Sequence, residues 1–136
     1  MASEPKNAIK PVASANAPAP GGHYSQGILA NGLIYVSGQL PVAADGSHNV
    51  EASFETQVRI ALDNMIAVIK AAGGSCDTLV CVTAYIAGVD NWPTFNRIYA
   101  EVLGDSRPAR TVVPVPTLHY GYLVEVDAVA LVRSDE

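Results

Sequence analysis

Cysteine is nearly absent from this chain of 136 residues, which carries only Cys76 and Cys81. Two are too few for a disulfide framework. They form no C-x-x-C pair and sit at no ligand spacing from histidine, so a reduced intracellular compartment is expected. Basic residues are also scarce: eight against 13 acidic ones, a formal charge of −5. Non-specific nucleic-acid binding needs a basic face, and these eight are scattered, so no nucleic-acid partner is expected. No apolar run reaches the roughly 20 residues that span a bilayer. The first seven residues lack the basic-then-apolar order of a secretory signal. The expectation is a soluble cytoplasmic protein without a membrane partner. The three histidines, His23, His48 and His119, are too dispersed in sequence to argue for a metal site or a triad.

What the chain does have is apolar bulk. Hydrophobic residues make up 49% and charged ones 15%. The length fits a single domain, 1–136, with a real core. So apolar a composition implies surface buried between subunits as well as within one. Residues 1–20 are rich in Ala and Pro and read as an extended lead-in, leaving 21–136 as the folded core. A strand is expected over 23–30. Asn31-Gly32 is the strongest short hairpin signal, since a type I′ turn needs positive φ twice. The return strand covers 33–38, and a loop follows to residue 50.

A helix over 53–72 is predicted from the stripe Val58, Leu62, Met65, Ile66 and Ile69, with Ser53 as N-cap and Gly73-Gly74 as terminator. Residues 79–87 alternate as a strand. Asn91-Trp92-Pro93 opens a second helix with inner stripe Phe95, Ile98, Tyr99 and Val102, closed by Gly104. Strands over 110–115 and 122–132 complete the order ββαβαββ, an α+β domain with a mixed sheet and both helices on one face.

The sheet's two faces differ. Ile34, Val36, Val80, Val82, Ala84, Ile86, Val124, Val126, Ala128 and Ala130 make one uniformly apolar face, suited to the helices. The other carries Tyr35, Ser37, Cys81, Thr83, Tyr85, Glu125 and Asp127 among Leu123, Val129 and Leu131. It is too apolar for open water and too polar for a core, so it is expected to pack against copies of itself. Arg110, Glu125 and Asp127 stand out because a charge inside an apolar strand is costly unless it has a partner. On the residues alone the simpler reading is an ion pair from Arg110 to Glu125 or Asp127 across adjacent strands. A carboxylate-binding, acid/base site is the alternative.

The segments Gly22-His23-Tyr24-Ser25-Gln26-Gly27 and Val36-Ser37-Gly38-Gln39-Leu40-Pro41 resemble the opening hairpin of the RidA (YjgF) enamine/imine deaminase family. Leu62-Asp63-Asn64, Ala71-Ala72-Gly73 and Asn96-x-x-Tyr99 are similar to its two helices. Pro108-Ala109-Arg110-Thr111 and Val124-Glu125-Val126-Asp127-Ala128 resemble its C-terminal signature. The likeness runs in order from about residue 20 to the end. It implies a chorismate-mutase-like homotrimer with active sites between subunits. It further implies cofactor-independent hydrolysis of 2-iminopropanoate, 2-iminobutanoate or their enamines to 2-keto acids and ammonia.

Under that resemblance Arg110 binds the substrate carboxylate, for which its planar fork is suited. Glu125, on what reads as the neighbouring strand, activates water and returns the proton to nitrogen. The family pattern adds the Tyr24 hydroxyl, backbone near Ser37 and Gly38, and Asn96 in support. Many members have cysteine two residues after the arginine. Val112 stands there instead, offering its backbone amide to the carboxylate but no thiol. The family assigns the acid to Glu125 and leaves Asp127 structural, whereas alternation alone puts both on one face. His119-Tyr120-Gly121-Tyr122 is expected to reshape the cleft. Two other readings stay open: a non-catalytic regulatory trimer that binds 2-keto acids, and a deaminase for a larger substrate such as 2-aminomuconate.

Overall fold

The computed structural model of the protein describes residues 8–133. Six strands form one sheet in the order β1-β2-β3-β6-β4-β5. They are β1 (Ile9–Val12), β2 (Gly27–Ala30), β3 (Leu33–Gln39), β4 (Leu79–Ala87), β5 (Ala109–Val115) and β6 (Val124–Leu131). Two helices, α1 (Phe54–Ala71) and α2 (Trp92–Leu103), cover one face. The architecture is the expected mixed α+β domain. Only β4 and β5 pair in parallel, joined through α2; the other neighbours are antiparallel.

Local chemistry accounts for the elements. Asn31 and Gly32 both take positive φ, 53° and 78°, and close the β2–β3 hairpin with Ala30 opposite Leu33. The Ser53 side chain caps α1 by accepting from the Thr56 amide. The stripe Val58, Leu62, Met65 and Ile69 is fully buried against Ile34, Val82, Ala84, Val124 and Val126 of the sheet. Phe95 and Ile98 bring α2 into the same core. On the outer side, Arg59 and Arg97 alternate with Glu55 and Glu101 in a four-membered ion-pair network that ties α1 to α2. Among the described residues no helix is long and apolar enough to cross a membrane.

Three expectations need correction. The lead-in is not unpacked: β1 adds to the sheet edge beside β2, and Ala17 is buried in the core. Pro11 sits within β1, which an edge strand tolerates because one side of it needs no amide donor. Residues 1–7 lie outside the described residues. The strand expected over 23–30 is only Gly27–Ala30, because Gly21 to Gln26 turn to line a cleft. Val80 leaves the helix-covered face and is exposed: β4 carries one extra residue opposite β6 between Leu79 and Cys81, a bulge that inverts the alternation there.

Candidate active site

The uncovered face of the sheet leads into an open cleft of about 610 Å³. Its walls are the 18–26 segment, the loop after β3 and the turn His119–Gly121 before β6. Tyr24, Ser37, Gly38 and Glu125 line it, and so do His48, His119 and Tyr120.

Glu125 reaches the cleft because of an irregularity in β3. Val36 pairs with Ala128 and Gln39 with Val126, so three steps on β3 match two on β6. The extra residue bends β3 at Ser37–Gly38, and bulges of this kind re-aim neighbouring side chains. Gly38 then leaves the space that the carboxylate occupies. A Cβ on Gly38 would lie 2.8 Å from Glu125 Oε2 and 3.1 Å from its Cδ. Among the described residues no hydrogen bond or ion pair engages the Glu125 carboxylate. Burial pushes its pKa up, Asp127 on the same strand pushes the same way, and His119 opposes them. A half-buried, unengaged carboxyl with a raised pKa can exchange a proton with a bound molecule.

Tyr24 is half exposed, and its hydroxyl accepts from the Gly21 amide at 3.3 Å. The Ser37 hydroxyl donates to the Ser25 carbonyl at 2.6 Å, so it fixes the hairpin. Asp127 is occupied elsewhere: it accepts from the Tyr85 hydroxyl at 3.2 Å and does not line the cleft.

Arg110 is not in this cleft. Along β4, Val82 is opposite Arg110 and Ala84 opposite Val112, whereas Tyr85 is opposite Glu125. Partners across a ladder share a face, so Arg110 lies on the helix-covered face and Glu125 on the other. The expectation of adjacent strands fails because the parallel β4–β5 pairing places β4 between them. An ion pair from Arg110 to Glu125 or Asp127 within one chain fails with it. Arg110 instead donates to Asn96 Oδ1 at 2.9 Å, and its guanidinium stands 5.0 Å over the Tyr99 ring. The Tyr99 hydroxyl is buried with no hydrogen-bond partner among the described residues. Val112 borders a separate apolar cavity of about 190 Å³ with Trp92 and Pro114. The candidate residues thus form two groups on opposite faces: Tyr24, Ser37, Gly38 and Glu125 on one, Arg110, Asn96 and Val112 on the other.

Several supporting residues were not singled out from sequence. Three buried side-chain amides pin the cleft walls. Gln26 donates to the carbonyls of Ser14, Ala17 and Pro18 and accepts from the Ser14 amide. Asn64 donates to the carbonyls of Leu40 and Val42. Gln57 bridges the Ala52 carbonyl to the Leu123 amide. For Gln57 and Asn64, an amide inside the apolar stripe of α1 is the available signal, since each must find partners when buried; Gln26 gives none. The fold also gathers two of the dispersed histidines: His48 and His119 both contact Tyr120. No cluster among the described residues could hold a metal ion.

Residues 14–132 match the family model described as endoribonuclease L-PSP. A RutC family protein of Pyrococcus horikoshii is 36% identical over 115 residues, covering 85% of this chain and 91% of that protein. A crystal structure of the Rid family protein YyfA from Yersinia pestis is 39% identical with a TM-score of 0.87, covering 92% of this chain and all of that one. The structure of Escherichia coli TdcF with bound serine has a TM-score of 0.85 at 29% identity, covering 92% and 99%.

Proposed function

Since the chain belongs to the endoribonuclease L-PSP family, which takes in YjgF, Rid and RutC proteins, we propose that it hydrolyses 2-imino acids and their enamine tautomers. The products are 2-keto acids and ammonia, and 2-iminopropanoate and 2-iminobutanoate are the simplest substrates. The observation that carries this reading is the unengaged Glu125 carboxyl in an open cleft, with its pKa raised by burial.

In the reaction, water adds to the C=N carbon, giving a carbinolamine. Glu125 takes a proton from the attacking water and passes it to nitrogen as the carbinolamine forms; it then takes the hydroxyl proton and delivers it to the amine, so the C–N bond breaks as ammonia leaves and the carbonyl forms. General acid/base help of this kind is worth about 10²- to 10⁴-fold. Arg110 supplies the bidentate partner for the substrate carboxylate, with the backbone amide at Val112 beside it. Asn96 holds one guanidinium nitrogen, and the Tyr99 ring supports its plane.

Arg110 and Glu125 lie on opposite faces of one sheet, so one chain cannot bring them to one substrate. A homotrimer resolves this: Arg110, Val112 and Asn96 of one copy complete the cleft formed by Tyr24, Ser37, Gly38 and Glu125 of the next. The exposed sheet face with Tyr35 and Leu131 is the surface such copies would cover. A ribonuclease reading, which the family description carries, has little electrostatic support at a net charge of −5 with Arg59 and Arg97 both ion-paired.

The test generates 2-iminopropanoate with an amino-acid oxidase and measures its capture by semicarbazide. The protein is expected to reduce capture, and Arg110→Ala to abolish that effect while the oligomer persists. Wild-type protein that does no better than buffer refutes the reading.

A further inference from the structure

In the single chain the cleft of about 610 Å³ is open on the side where the deamination reading places a second copy. Its lining also divides chemically: Glu125, Tyr24 and the Ser37–Gly38 backbone supply polar groups, while Tyr120, His48, His119, Leu40 and Val42 supply ring faces and apolar surface.

The aromatic part is built, not incidental. Tyr120 has φ 63° and ψ 3°, and apart from Asn31 in the hairpin turn it is the only described non-glycine residue with positive φ. A bulky residue there is strained, and such strain persists where the surroundings hold it for a purpose. Within the single chain this ring buries little surface, being 63% exposed. Its neighbours hold it in place. The His48 ring centroid lies 4.5 Å from that of Tyr120, and His48 is stacked on Tyr122 at 5.8 Å and 22°. His48 Nδ1 is 2.9 Å from the hydroxyl of Tyr122, itself fully buried. Asn64 fixes the loop that carries His48 through the Leu40 and Val42 carbonyls.

We propose that Tyr120, backed by His48, is a specificity-determining side-chain subsite that selects 2-imino acids bearing an aryl group, stacked on the Tyr120 ring beside Glu125. The inference rests on the deamination reading and adds the substrate class to it. A planar π-bearing side chain uses ring faces, and Tyr120 and His48 present them side by side in the cleft lining.

The test compares the imines released from phenylalanine and from alanine by an amino-acid oxidase, for wild type, Tyr120→Gly and Tyr120→Phe. Glycine keeps the positive-φ backbone without strain, so folding is not compromised. Wild type is expected to favour the aryl imine in kcat/KM. Tyr120→Gly should cut that preference by about threefold to tenfold, the range of an aromatic pair, with the alanine imine little changed and the melting temperature equal or higher. Tyr120→Phe should keep the preference. An equal loss on both substrates, or no aryl preference in wild type, overturns the proposal. Calorimetric binding of phenylpyruvate against pyruvate separates the two readings. If neither imine is turned over, the deamination reading fails, and tighter phenylpyruvate binding that Tyr120→Gly removes would still support the aryl subsite. Equal binding of both keto acids would overturn it.

Discussion

Substituting Gly38 by alanine adds one methyl group at the point where β3 passes the Glu125 carboxylate. The new Cβ would stand 2.8 Å from Glu125 Oε2, about 0.6 Å inside the 3.4 Å where ordinary contact begins. Gly38 has no positive φ, so space alone opposes the methyl group. The backbone is held by the sheet, so the flexible carboxylate is the group that yields. A general base displaced by a large fraction of an ångström loses its line to the water. Misplacement by about 1 Å can cost about 10²-fold, so kcat/KM is expected to fall between about tenfold and a hundredfold. The fold should survive, because Glu125 is at the cleft and outside the core. The imine-capture assay reads the activity, and a thermal melt confirms folding. Gly21→Ala is the control: Gly21 lines the same cleft, and a Cβ there meets nothing within 4 Å, so activity should stay within about twofold. Gly38→Ala with wild-type activity would refute the role given to the Glu125 position.

Other outcomes follow from the same geometry. Glu125→Gln should lower kcat/KM by about 10²- to 10⁴-fold and raise thermal stability at neutral pH. The folded-state pKa of Glu125 is raised, so the folded chain holds its proton more tightly than the unfolded chain and stability falls as pH rises through that range. The gain from Glu125→Gln should therefore shrink on acidification, as melts across pH would show. As a base, Glu125 must be ionised, so the acid limb of kcat/KM should lie above the ordinary carboxylate range. Asp127→Asn should move it down and His119→Gln up, following the sign of each charge. Tyr99→Phe should leave activity intact and folding unharmed, because it removes a buried hydroxyl that has no partner among the described residues and keeps the ring under Arg110. Tyr99→Leu should raise KM by several-fold, in line with about 0.5–1 kcal/mol for an exposed cation–π contact.

Most of the fold was legible because α1, β6 and, outside their bulges, β3 and β4 carry periodicities of 3.6 or 2. β1 escaped because Pro11 and an Ala/Pro-rich surround mask an edge strand that pairs with β2 alone among the described strands. The face of Arg110 could not be read at all. Ala109–Val115 has apolar residues at both parities, so its phase comes from the register with β4, a contact across α2 and some thirty residues of chain. Glu125 was legible as a charge out of place; alternation left it level with Asp127, the family resemblance favoured it, and the Tyr85 hydroxyl engages Asp127 away from the cleft. Tyr120 gave no propensity signal, since its positive φ is imposed by the packing of His48 and Tyr122 around it.

Under the proposed function, Arg110 and Glu125 act on one substrate from two copies of the chain. Arg110→Ala and Glu125→Gln should each be inactive alone. Mixed in equal amounts, with subunits allowed to exchange, they should regain about a quarter of wild-type activity, because each site then needs one particular ordered pair of copies. Exchange is followed by mass spectrometry of differently tagged copies. Mixed oligomers that form and remain inactive would contradict the shared site.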